Sequence, residues 1–142
     1  MSDAPLGDLD YQAVGAFRLA LRRFAAFSES SAREVGLTAQ QHQALLAIRA
    51  HTGPEPMTIS ELAQSLLIKN HSTVELVGRL VDGDLVARTP SEGDRRRILL
   101  RLTPKAEELL EAVTRRNIAE LTSTAPIFRD LLKTLKRIGE AG

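Results

Sequence analysis

Apolar residues return along this chain at two different periods, and the change of period divides it. From about Leu9 to Glu34, Ala13, Phe17, Ala20, Leu21, Phe24 and Phe27 recur at three- and four-residue steps. That spacing lays one stripe along a long helix, with Arg18, Arg22 and Arg23 mostly off it. Gly36 is placed to stop the helix, since glycine accepts the left-handed backbone of a helix end. Three of the four phenylalanines lie here, more apolar surface than a small domain's own core covers.

Short helices follow. Thr38 and Gln41 have the spacing of a capping box, in which each side chain satisfies an otherwise unpaired backbone N–H. Ala44, Leu45 and Ile48 form the buried face that results. Gly53-Pro54-Glu55-Pro56 cannot continue a helix and reads as a loop. Thr58 and Glu61 repeat the capping-box spacing and open a helix with Leu62, Ala63 and Leu66 inward. After a break at Ile68-Lys69-Asn70, Asn70 is the expected N-cap of a further helix that buries Val74, Val77, Leu80 and Val81. Two short helices joined by a tight turn make a helix-turn-helix.

After Gly83 the period shortens. Leu85–Thr89 and Ile98–Leu102 read as strands around the polar tip Pro90–Arg97, a β-hairpin wing directly behind the helix-turn-helix. Thr103-Pro104 is an N-cap followed by a proline in the first helical position. That helix is expected to run to about Thr122, and Ala125-Pro126 to start a last one bearing Ile127, Leu131, Leu132, Leu135 and Ile138. The expected fold is mostly α: a winged helix-turn-helix lobe over 38–103 within one domain of 1–142. Long terminal helices over 9–35 and 104–140 pack on each other and on a second copy.

Composition narrows the function. A hydrophobic fraction of 43% is that of a folded chain, and the absence of cysteine excludes disulfides and thiolate metal sites. His42 and His51 have no ligand cluster near them in sequence, and Asp82-Gly83-Asp84 lacks the rest of a calcium loop, so no metal and no cofactor are expected. The acidic N-terminus has no signal-peptide pattern and no stretch reaches membrane-spanning length, which predicts a soluble, cytoplasmic protein without a membrane partner. Net charge is only +1, but between Arg88 and Arg101 five arginines face two acids. Basic character is concentrated on the wing.

Two elements then point at one partner. The start of the recognition helix offers Lys69, Asn70, His71, Ser72 and Thr73, small or hydrogen-bonding groups suited to base edges and phosphates in the major groove. Glu75 and Arg79 flank them. Arg95, Arg96 and Arg97 on the wing suit an adjacent minor groove or its phosphates. The partner so implied is double-stranded DNA.

The residues also resemble a family. Gly36-Leu37-Thr38, Gln41 and Leu45-Leu46, then Ile59-Ser60-Glu61-Leu62-Ala63, His71-Ser72-Thr73-Val74, Leu76-Val77, Arg79-Leu80 and Leu85-Val86 are similar to the MarR (multiple antibiotic resistance regulator) regulators. So is the wing string Asp94-Arg95-Arg96 followed by Leu100-Arg101-Leu102-Thr103, the most specific part of a likeness running from roughly residue 10 to 140. The resemblance implies that Arg96 probes the minor groove, that Asp94 orients it, and that Asn70, His71, Ser72 and Thr73 face the major groove. It further implies a homodimeric repressor on a pseudo-palindromic operator, released by a small-molecule effector whose identity the sequence does not specify. One position departs: Asp84 stands where the family usually has glycine, with Gly83 displaced by one.

Plainer readings exist for single residues. The arginines can be a solvated hairpin tip, His71 a helix-surface residue, Ser72 and Thr73 capping residues, and Asp94 a turn residue after Gly93. For the whole chain, the alternative is a winged-helix protein-interaction module without specific DNA binding. An enzyme is the most distant reading: no G-x-G-x-x-G, Walker, H-E-x-x-H or G-x-S-x-G motif occurs, and the regulator architecture accounts for the chain's length.

Overall fold

The structure, a computed structural model, describes residues 4–141. Five helices and one hairpin follow in order: α1 (Asp8–Glu34), α2 (Ala39–Ala50), α3 (Ile59–Leu66), α4 (Asn70–Asp82), β1 (Val86–Pro90), β2 (Ile98–Leu102) and α5 (Pro104–Glu140). The chain forms two compact units, one spanning Ala32–Thr114 and the other made of the chain up to Ser31 and from Arg115 on. No helix among the described residues is long and apolar enough to cross a membrane.

The first unit contains the short helices and the hairpin. Leu45, Leu62, Leu76, Leu80 and Leu100 are almost wholly removed from solvent and pack with Leu37, Ile48, Met57, Leu85 and Ala106. Each buried leucine contributes roughly 1.5–3 kcal/mol of transfer free energy, which makes this cluster a main source of the unit's stability. Both capping boxes form as expected: Gln41 N–H donates to Thr38 Oγ1 at 3.0 Å and Glu61 N–H to Thr58 Oγ1 at 3.2 Å, each returned by the partner side chain. Gly36 ends α1 at φ +83, with Leu37 N–H donating back to Ala32 O at 2.9 Å.

The hairpin is antiparallel, with Val86 opposite Leu102 and Pro90 opposite Ile98. Its first strand begins one residue later than expected, because Leu85 N–H donates to Leu80 O at 2.9 Å and closes the end of α4. A third segment joins the sheet: Leu100 N–H donates to Met57 O at 2.8 Å, and Thr58 bridges Leu99. The wing is thereby stitched to the residues that open α3. Asp84 takes φ +58, which explains why a glycine suits that place, and its carbonyl accepts from Thr103 Oγ1 at 2.7 Å.

Three expectations need correction. Lys69, not Asn70, is the N-cap of α4, and it makes no side-chain capping bond. The buried stripe of α4 is Thr73, Leu76, Val77 and Leu80, while Val74 is 49% exposed and Val81 half-buried. Finally, α5 does not break: Pro126 lies inside one helix of 37 residues. Proline removes one N–H donor and crowds the carbonyl four residues back, but its fixed φ is helical. The half-buried Phe128, Leu131, Leu135 and Ile138 beyond it keep the helix in register within its unit.

Two stability predictions arise here. Leu67, at the end of α3, is held at φ +57 and is 91% exposed, so it has left-handed strain and little packing. Leu67→Gly is expected to raise stability by about 0.5–1 kcal/mol, read as a higher urea midpoint, because relief of strain exceeds glycine's entropy cost. His42 is buried, its Nε2 finds no hydrogen-bond partner among the described residues, and desolvation lowers its pKa below 6.5. The folded state then binds fewer protons than the unfolded chain in mild acid. Stability is therefore fully present above pH 6.5 and is lost as pH falls toward the folded pKa. His42→Leu should flatten that slope in denaturation curves recorded at several pH values.

Candidate nucleic-acid interface

The turn between α3 and α4 is closed by backbone hydrogen bonds. Leu67 in the left-handed region lets Ile68 N–H reach back to Ala63 O at 3.1 Å, which closes α3 and redirects the chain within two residues. Helix α4 starts without a capping side chain. Its first N–H groups thus keep their partial positive charge available to an anion, with the helix dipole behind them. Lys69, Asn70 and His71 are exposed around that end and Ser72 is half-buried; Arg79 is exposed two turns farther along.

Thr73 does not belong to this group. It has 0% exposure, and its hydroxyl donates to Lys69 O at 2.9 Å, so it holds the first turn of α4 from inside instead of reaching a groove.

The wing tip is a turn held in part by Asp94. Asp94 Oδ1 accepts from Arg96 N–H at 3.0 Å, and Arg97 N–H donates to Asp94 O at 3.0 Å. Asp94 therefore shapes the backbone beneath Arg96; it does not grip the guanidinium, as the resemblance implied. Arg95 and Arg96 are exposed, and no carboxylate among the described residues pairs with either. Arg97 differs, for its Nη1 lies 3.1 Å from Glu55 Oε1.

Glu55 is the residue that sequence reasoning missed. Its second oxygen accepts from the buried Ser91 hydroxyl at 2.8 Å, so one carboxylate from the loop ahead of α3 holds both sides of the wing turn. Ser91 N–H also donates to Arg97 O at 2.8 Å. Nearby, hydrogen bonds from the Thr58 backbone and hydroxyl hold the Glu61 carboxyl below its usual range, with His51 and Arg97 adding to the effect. Wing, loop and helix-turn-helix are thus one connected polar and packed structure.

A family model described as the MarR family matches residues 35–97, the stretch from the end of α1 through the wing tip. Over 127 residues the chain is 32% identical to the HTH-type transcriptional repressor NicR of Pseudomonas putida, covering 85% of this chain and 78% of that protein.

The chain belongs to the MarR family.

Solved structures agree with this placement. AbsC, a MarR family transcriptional regulator from Streptomyces coelicolor, has the same fold at a TM-score of 0.74 and 23% identity, over 97% of both chains. The transcriptional repressor CouR, solved bound to a 23-mer DNA duplex, superposes at a TM-score of 0.69 with 26% identity, over 99% of this chain and 98% of that one. Within the MarR frame, this chain is a mostly helical winged helix-turn-helix protein with a two-stranded wing.

Proposed function

We propose that this MarR protein is a homodimeric, sequence-specific reader of double-stranded DNA in the cytoplasm. It would act as a ligand-responsive repressor that occupies a pseudo-palindromic operator. The observation that carries the reading is the uncapped, exposed start of α4 together with Arg95 and Arg96, unpaired among the described residues, presented by one compact unit. Helix end and wing would meet neighbouring grooves, the helix contacting base edges and the arginines the negative potential of a minor groove.

The second unit supports the dimer. Ten of the thirteen large apolar side chains exposed among the described residues lie there, on α1, its lead-in and α5. A surface so apolar suits a second copy, and the two half-sites read by such a pair would lie about 34 Å, one DNA turn, apart. Release by an effector requires a molecule that binds the non-operator arrangement more tightly. The same unit contains a small cavity of about 220 Å³, with Phe24, Ile127 and Phe128 among its walls and Arg23 and Glu120 as polar groups, where such a molecule could act.

Selection of bound fragments from random duplex DNA, followed by titration at several salt concentrations, tests the reading. An enriched inverted repeat is expected, with log affinity falling against log salt by about 0.9 for each neutralised phosphate. A flat salt response with no enriched sequence would instead favour the protein-interaction module.

A further inference from the structure

Helix α4 buries Thr73, Leu76, Val77 and Leu80 along one side. At about 100° per residue, the line directly opposite is His71, Glu75, Gly78 and Asp82, spaced four, three and four residues apart. The middle of the outward face is therefore occupied by a carboxylate and a glycine. Neither is explained by the fold.

Glu75 is exposed and makes no hydrogen bond or ion pair among the described residues, even though Arg79 stands one turn on at the spacing suited to pairing. An unpaired negative charge on a surface that meets a polyanion weakens binding unless it finds a donor there. The major groove offers one: a carboxylate accepts from the exocyclic amino group of cytosine, whose neighbouring ring edge carries no opposing acceptor. Gly78 follows one turn later. Apart from proline, glycine is the residue that most disfavours a helix interior, yet here φ is not positive and a Cβ would meet nothing within 4 Å. Its presence leaves no side chain on that outward line beside Glu75.

We propose that Glu75 is a specificity-determining residue that reads the N4 amino group of a cytosine in each half-site, with Gly78 providing the close approach. This rests on the DNA-binding reading above. The test is selection from random duplexes with the wild type, Glu75→Ala, Glu75→Gln and Gly78→Ala, each checked for an unchanged helical spectrum. The wild type should enrich a cytosine at one position per half-site. Glu75→Ala should lose preference at that position only and bind the selected operator about 5- to 150-fold more weakly. Glu75→Gln should move the preference to adenine, which an amide contacts in bidentate fashion. Gly78→Ala should raise the melting temperature by about 2–4 °C and still weaken binding, a combination that a purely structural role does not produce. Identical base preferences for wild type and Glu75→Ala would overturn the proposal and leave DNA binding standing. A wild type that enriches nothing would overturn both.

Discussion

Deleting residues 123–142 is expected to convert the protein to a monomer and to lower affinity for a full operator by about 10²- to 10⁴-fold, the factor that linked half-site binding supplies. The deleted stretch takes Phe128 away from Phe17, whose rings meet edge to face with centroids 6.0 Å apart, and also removes Leu131, Leu135 and Ile138 from the same unit. It removes the exposed Ile127 and Leu132 as well, which belong to the apolar surface assigned to the second copy. Because the deletion also uncovers α1, a gentler variant separates misfolding from lost association. Leu9 is 77% exposed and Leu132 is 53% exposed, so Leu9→Glu with Leu132→Glu should leave the monomer folded. Light scattering should report one chain per particle for both variants. A folded dimer after the deletion would refute the interface.

Features decided within four residues of chain were readable in the sequence. Thr38 with Gln41 and Thr58 with Glu61 announce helix starts because donor and acceptor sit three positions apart, and both boxes form. Gly36 marks a helix end for a similarly local reason, since few other residues take φ +83 without strain. The wing was legible from its switch to strand-forming residues around a polar tip. Errors begin where a single residue of phase matters. The expected stripe of α4 shares Val77 and Leu80 with the observed one but is centred about 60° away, which puts Val74 inside and leaves the polar Thr73 out of the core.

Long-range partners left no trace in the linear pattern. Glu55 lies 36 residues from Ser91 and 42 from Arg97, and an acid between two prolines looks like any solvated loop residue. Met57 and Thr58 add a short piece of sheet beside β2, too brief for an alternation to show. Pro126 misled for the opposite reason: a strong local signal was overridden by apolar residues on both sides that favour one uninterrupted helix.

Removing Arg96 and removing the carboxylate that holds the wing turn should both weaken DNA binding, and simple charge counting predicts only the first of these. Arg96→Ala is expected to leave stability within about 0.5 kcal/mol, because the side chain is exposed and unpaired among the described residues. Operator affinity should fall about 10- to 100-fold, the worth of a hydrogen bond to a charged group, and the salt slope should shrink because the dimer loses two cations. Glu55→Ala instead removes a negative charge beside the wing, so electrostatics alone predicts tighter binding. If Glu55 works by tying Ser91 and Arg97 together, affinity should fall, since the freed turn must be ordered again on the DNA at an entropic cost. Fluorescence anisotropy with one operator duplex measures both variants. Tighter binding by Glu55→Ala would show that the wing needs no anchor, and unchanged binding by Arg96→Ala would take the guanidinium out of the groove.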